Sequence, residues 1–233
     1  MLDLIAFDAD DTLWHNERLY RQAEKEYAAL LRDHVDEAIA IHQLLETEKK
    51  NIPLYGYGIK SFALSMIEAG INLSNGEFGS PEILSVIDIV KSMLTSEVEL
   101  LDHVYVTINQ LAKRHSLMLL TKGDLRDQEK KLRKSGLKTC FQYVEIVPEK
   151  DTHIYTRLLE KHNVLPERFL MVGNSLKSDI LPVLSIGAHA VHIPYPLTWA
   201  HEQVTVPQDQ KCDYHVLGHI GELPGLIDHL WTT

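Results

Sequence analysis

Leu2-Asp3-Leu4-Ile5-Ala6-Phe7 runs directly into Asp8-Ala9-Asp10-Asp11-Thr12-Leu13-Trp14, and this junction decides the fold. A short segment that is apolar except at Asp3 and stops at an acid cluster reads as a strand buried on both faces. Such strands lie inside parallel sheets covered by helices. Residues 117–120, 169–172 and 188–193 have the same character, and Tyr143–Val147 is a weaker strand candidate. Between them the spacing predicts helices: 125–135 stops at Gly136, and Thr152–His162 opens with Asp151 as cap. Strands alternating with helices give an α/β fold on a parallel sheet.

Residues 16–95 break that rhythm, because they contain helical patterns and no convincing strand. Tyr20, Ala23, Tyr27, Leu30 and Leu31 follow helical spacing, as do Ile83, Val86, Ile87, Val90 and Leu94, with Ser80 as cap and Pro81 at the first helical position. The expected organisation is an α/β core formed by 1–15 and 96–233, with 16–95 inserted as an all-helical subdomain. The segment 195–211, rich in Pro and Gln, reads as a loop.

The chain has 233 residues, 45% hydrophobic and 24% charged, which is a globular composition. With 23 basic and 33 acidic residues its net charge is −10, which argues against binding nucleic acid through a phosphate backbone. Two cysteines, Cys140 and Cys212, lie far apart without a CxxC, so a disulfide framework is not expected. The first residues carry an acid at Asp3, lack a basic region and are too briefly apolar for a signal peptide. No run approaches a membrane span. The expectation is a cytoplasmic protein with no membrane partner; oligomeric state is not legible.

Four groups of residues could carry chemistry. Asp8 and Asp10 lie two apart at the end of the first strand, so an extended chain turns both to one side. Ligand sites in open α/β sheets form at such ends. Paired carboxylates there repel unless a cation or an acid–base task keeps them; a turn or helix cap is the alternative. Thr121, followed by Lys122 and Gly123, ends the second strand, where a hydroxyl and free amides hold a phosphate oxygen or simply cap a helix. Lys150 stands just before a helix. Met171-Val172-Gly173-Asn174-Ser175-Leu176-Lys177-Ser178-Asp179 sets an amide and a carboxylate oxygen after a buried strand, donors that suit a hard cation such as Mg²⁺.

The order Asp-x-Asp-x-Thr, Thr, Lys, Gly-Asn…Asp at successive strand ends resembles the haloacid dehalogenase-like (HAD) hydrolase superfamily, over most of the chain outside the insertion. The resemblance implies a Rossmann-like parallel sheet with helices on both faces and a helical cap. It implies Asp8 as the nucleophile that becomes an aspartyl-phosphate, and Asp10 as general acid and then general base. Lys150 would offset negative charge, while Thr12, Thr121 and Lys122 would meet the phosphoryl group. Mg²⁺ would bind Asp8, the main-chain carbonyl of Asp10, Asn174 and Asp179. Two positions depart from the family pattern: Asn174 stands where an acid is usual, and Lys122 where a small polar residue is common. Lys122 either contacts phosphate or points to solvent, with solvent preferred.

Other signals are weighed down. His189 and His192 lie three apart on a strand and face opposite ways, so they do not chelate together; His215 and His219 flank Gly218 at a strand-to-helix junction. The basic cluster Arg126, Lys130, Lys131, Arg133, Lys134 and Lys138 reads as a solvated face. Tyr55-Gly56-Tyr57-Gly58 reads as a turn before it reads as a substrate loop. The leading expectation is a Mg²⁺-dependent phosphomonoesterase for a small phosphorylated metabolite. A phosphomutase is the close alternative, and a non-catalytic phospho-binding or regulatory protein the distant one. A dehalogenase fits less well, because departing halide needs no proton and leaves Asp10 without a task.

Overall fold

The computed structural model describes residues 1–197 and 214–231; Cys212 and the part of the 195–211 loop beyond residue 197 lie outside the described residues. The first strand, β1 (Leu4–Phe7), is buried at every position. It begins at Leu4, two residues later than its apolar run, although the Asp3 N–H already reaches the Arg168 carbonyl at 2.9 Å. The other strands are β2 (Leu117–Lys122), β3 (Tyr143–Val147), β4 (Phe169–Gly173), β5 (His189–His192) and β6 (His215–Val216). Among the described residues they form one sheet in the order β3-β2-β1-β4-β5-β6, with every neighbouring pair parallel. The two-residue β6 is too short to leave a periodic signature, and it lies where a strand-to-helix junction is expected around Gly218.

The period-two alternation of β1 explains why the sheet is covered on both sides. Ile5 and Phe7 join Leu117, Leu119, Leu170, Val172 and Val191 in one core, together with Val104, Ile108, Leu132, Leu223 and Ile227. Those last five come from helices α5 (Val104–Leu111), α6 (Leu125–Lys134) and α9 (Leu223–Trp231). Leu4 and Ala6 turn the other way, to Met118, Leu120, Phe169, Met171 and Ala190. There Tyr155, Leu158, Leu159 and Val183 pack on them from α7 (Thr152–His162) and α8 (Leu181–Ser185). This is a Rossmann-like α/β fold. Asp151 caps α7 as expected, its Oδ1 accepting from Ile154 N at 2.8 Å.

The chain divides into two compact units, one of 1–17, 98–122 and 128–233, the other of 18–97 and 123–127. The second unit contains helices α1 (Glu17–Leu30), α2 (Glu37–Tyr55), α3 (Ile59–Leu73) and α4 (Ser80–Thr95), of which α1 begins one residue before it. Ala23, Tyr27, Leu31, Leu44, Phe62, Met66, Val86 and Val90 form its own core. Lys60 Nζ meets Asp124 Oδ2 at 2.8 Å within this unit. The start of α4 differs from expectation: Gly79 is the cap and Ser80 the first helical residue. The Glu82 carboxylate reaches back to accept from Gly79 N at 2.8 Å, which satisfies that donor without a serine hydroxyl. Among the described residues no helix is long and apolar enough to cross a membrane.

Candidate active site

Parallel pairing puts the C-terminal ends of β1 to β4 along one edge of the sheet, and polar residues lie at or shortly beyond each end. Phe7 lies opposite Leu119 and Val172, and Lys122 opposite Val147. Asp8 follows Phe7 and is still tied into the sheet, its N–H donating to Val172 O at 2.9 Å. Asp8 is 8% exposed. Lys150, 3% exposed, donates to Asp8 Oδ1 and, at 2.8 Å, to Asp179 Oδ1. Residues from three separate stretches of sequence therefore meet as a buried carboxylate–ammonium–carboxylate trio.

Burial pushes the Asp8 carboxyl up to about 7; the Lys150 charge opposes that shift, while Asp179 and Asp10 add to it. Burial disfavours the charge on Lys150, but Asp179 and Asp8 outweigh it and hold the ammonium above its usual range. Lys150 is thus a fixed cation between two anions.

Asp179 is set by its own loop. Its Oδ2 accepts from Ser175 N at 3.0 Å, and Ser175 Oγ accepts from Ser178 N at 3.1 Å. Tyr155 donates its hydroxyl to Ser178 O at 3.0 Å, which ties the loop to α7. The Asp179 carboxylate lies directly over Gly173, where a Cβ would come within 2.2 Å of Oδ2. Glycine at the end of β4 is required by this close approach.

Thr12, 2% exposed, places its Oγ1 3.0 Å from Asp8 Oδ2 and 3.2 Å from Asn174 Oδ1. A single hydroxyl thus brings the oxygens of Asp8 and Asn174 within reach of each other. His192 Nε2 lies 3.0 Å from the Asn174 carbonyl; a carbonyl only accepts, so this ring nitrogen carries the proton. Thr121 is buried at the end of β2, with its hydroxyl on the Lys122 carbonyl at 3.2 Å. The preference for a solvent-facing Lys122 is corrected: its ammonium donates to Ser178 Oγ at 2.9 Å and to Glu149 Oε1 at 3.2 Å. Partners from the segments that follow β3 and β4 hold it.

Asp10 has a different set of partners. Trp14 Nε1 donates to its Oδ1 at 2.6 Å, Gln128 Nε2 to its Oδ2 at 2.8 Å, and Lys131 Nζ to both oxygens at 3.0 and 3.1 Å. Lys131 therefore leaves the solvated basic face assigned to it from sequence. A signal was available in α6, whose one apolar core residue is Leu132: Gln128 lies four before it on the same face, and Lys131 lies three after Gln128. Asp11 serves the backbone, accepting from Asn16 N at 2.9 Å and Glu17 N at 3.1 Å. Its φ of 63° is a conformation Asp tolerates better than most residues. Burial, reinforced by Asp10, pushes its carboxyl up to about 6 against those hydrogen bonds.

Among the described residues no three His, Cys, Asp or Glu side chains converge as metal ligands. The donors at the strand ends nevertheless suit a hard cation. They are oxygens only, two carboxylates and an amide carbonyl, linked through Thr12 and Lys150.

The family model for haloacid dehalogenase-like hydrolases matches residues 2–187. A solved haloacid dehalogenase-like family hydrolase from Xanthomonas campestris is 34% identical, with a TM-score of 0.87 over 98% of this chain and 91% of that one. A 2-haloacid dehalogenase from Pseudomonas syringae shares the fold at 19% identity, with a TM-score of 0.66 over 98% and 99% of the two chains. The N-acylneuraminate-9-phosphatase of Mus musculus is 25% identical over 146 residues, 60% of this chain and 56% of that protein. The chain thus matches little more than half the length of that curated relative.

Proposed function

The chain belongs to the haloacid dehalogenase-like hydrolase family, and from that premise we propose that it is a Mg²⁺-dependent phosphomonoesterase for a small phosphorylated metabolite. The observation that carries this reading is the Asp10 carboxylate, two residues beyond Asp8 and fixed by three side chains. An alkoxide leaving from phosphorus needs a proton, and a departing halide does not. A carboxyl group held at this place has work in the first reaction and none in the second.

In the proposed reaction an Asp8 oxygen attacks phosphorus and the ester P–O bond breaks. Asp10, which takes up a proton as one of its contacts yields, gives that proton to the departing alkoxide, which leaves as an alcohol. Water then attacks the phosphorus of the aspartyl-phosphate and returns a proton to Asp10. Inorganic phosphate departs and Asp8 is regenerated as a carboxylate. Lys150 offsets the charge that builds beside Asp8, and Thr121 with the amides after β2 orients the phosphoryl oxygens. Mg²⁺ held by Asp8, the Asp10 carbonyl, Asn174 and Asp179 would neutralise phosphate charge and align it for attack.

The test is a panel of phosphomonoesters, N-acylneuraminate 9-phosphate among them, assayed with and without Mg²⁺ beside a panel of 2-haloacids. The expected result is Mg²⁺-dependent phosphate release from at least one ester and no halide release. Halide release without phosphate release overturns the reading.

The role of Asp10 has its own signature. An aryl phosphate with an acidic phenol barely needs protonation, whereas an alkyl phosphate does. General acid–base help is worth about 10²–10⁴-fold. Asp10→Asn is expected to slow the alkyl-ester burst by that amount and the activated aryl-ester burst far less, in single turnovers. Equal losses on both esters remove Asp10 from the acid role.

A further inference from the structure

Four contacts on one carboxylate, from Trp14, Gln128 and Lys131, exceed what a surface acid acquires. The Asp10 and Lys131 side chains are only 23% and 12% exposed. Lys131 also donates to Asn16 Oδ1 at 2.8 Å, a further anchor for its ammonium. Gln128 is 3% exposed, and its Nε2 serves both Asp10 and the Lys122 carbonyl, the latter at 3.0 Å. Those two acceptors force the amide nitrogen inward, and among the described residues the buried Oε1 is left with no hydrogen-bond partner. An orphaned buried acceptor is uncommon in native proteins. Here it accompanies an N–H fixed on Asp10.

We infer that Lys131 and Gln128, neighbours on one face of α6, are positioning residues that hold the Asp10 carboxylate in place two residues beyond Asp8, one of their contacts yielding when Asp10 takes up the proton that it gives to the ester oxygen. The inference rests on the phosphomonoesterase reading and deepens it, since α6 follows the phosphate-holding end of β2. One helix would then set the acid–base group while the turn before it holds the phosphoryl group. A carboxyl about 1 Å from its productive place loses rate on the order of 10²-fold. The ammonium, gripping both oxygens and Asn16, restricts the Asp10 torsion more than any neutral partner does.

The experiment has two arms on the full chain, using Lys131→Met, Asp10→Asn and the double variant, with the exposed Arg133→Met of the same helix as control. In single-turnover bursts Lys131→Met is expected to lose on the order of 10–100-fold on an alkyl phosphate and much less on an activated aryl phosphate. Added to Asp10→Asn it is expected to have no further effect on the alkyl ester, while Arg133→Met leaves both bursts unchanged. A loss equal on the two esters, or one that multiplies with that of Asp10→Asn, overturns the inference, because a merely structural lysine would behave that way. The second arm reads the pair without any substrate. The double variant's drop in Tm is expected to fall short of the summed single drops by roughly 2–4 °C. Additive drops overturn the pairing. A wild-type protein that released no phosphate would sink the phosphomonoesterase reading, while the Tm cycle would still decide the pairing.

Discussion

Asp8→Asn is expected to abolish turnover, with kcat reduced by at least about 10⁴-fold, by comparison with losses on removing a covalent nucleophile elsewhere. The amide keeps the shape of the side chain but cannot form an acyl-phosphate, so acid-quenched protein should carry no bound phosphate. The structure separates this loss from unfolding. Lys150 retains Asp179 as a partner at 2.8 Å. Burial already pushes the Asp8 carboxyl up to about 7, so the ionised form is a burden on the folded state near neutral pH. A neutral replacement is expected to leave Tm unchanged or higher at pH 8. A folded variant that kept more than about a hundredth of the activity would exclude Asp8 as the nucleophile.

Lys150→Met is expected to injure both stability and chemistry. The lysine lies between two buried carboxylates, and methionine fills its volume without its charge. Removing one member of a buried ionic set typically costs about 3–5 kcal/mol, because the charges left behind have no counter-ion. The sign with pH follows from the carboxylates. Without Lys150 the folded-state value of Asp8, already raised to about 7, moves further up, so the folded protein holds protons that the unfolded chain releases. Stability of the variant therefore falls as pH rises from the unfolded carboxyl value toward and beyond 7, and recovers on acidification. The ammonium in the wild type, raised by the same neighbours, stays charged throughout that window. Urea unfolding at pH 5 and pH 8 checks this: the variant's deficit should be clearly larger at pH 8. An equal deficit at both values would mean that lost packing, not unpaired charge, is responsible. Activity should fall by about 10²–10³-fold even where the variant is folded, as for other lost electrostatic donors.

The α/β architecture was legible because a strand buried on both faces has to be apolar at every position. β1, β4 and residues 117–120 of β2 show this, and Asp8, Gly173 and Thr121 mark where the three runs end. The residues at those ends were legible for the same reason: a polar side chain directly after such a strand has few places to go. Asp8 follows β1 directly, Thr121 closes the buried run of β2, and Lys150 and Asp179 stand a few residues beyond β3 and β4; Asp8, Lys150 and Asp179 meet. Charged residues with ambiguous surroundings were less legible. Lys131 sits among five other basic residues, and only the position of Leu132 distinguishes its face of α6. Lys122 turned to Ser178 and Glu149, partners 56 and 27 residues away, which no local pattern announces. The Gly79 cap was hidden because Ser80 is the better capping residue by type. The Glu82 side chain made the alternative possible.

The central place of β1 also bears on how the chain reaches this fold. Ile5 pairs with Leu117 on one side and Leu170 on the other, so the first strand made has to wait for both neighbours. Pairings of such long sequence separation form slowly, whereas helices such as α1 to α4 draw on contacts close in sequence. During that wait Leu4–Phe7 is a short apolar segment with both edges unpaired, the kind that recruits other chains. Asp3 and Asp8 bracket it with a charge at each end, as gatekeepers do around unavoidable hydrophobic strands. Asp3 ends up in an ion pair with Arg168 at 2.6 Å, and Asp8 at the centre of the site. The carboxylate proposed to attack phosphorus thus has an earlier duty, keeping the nascent sheet soluble until β4 arrives.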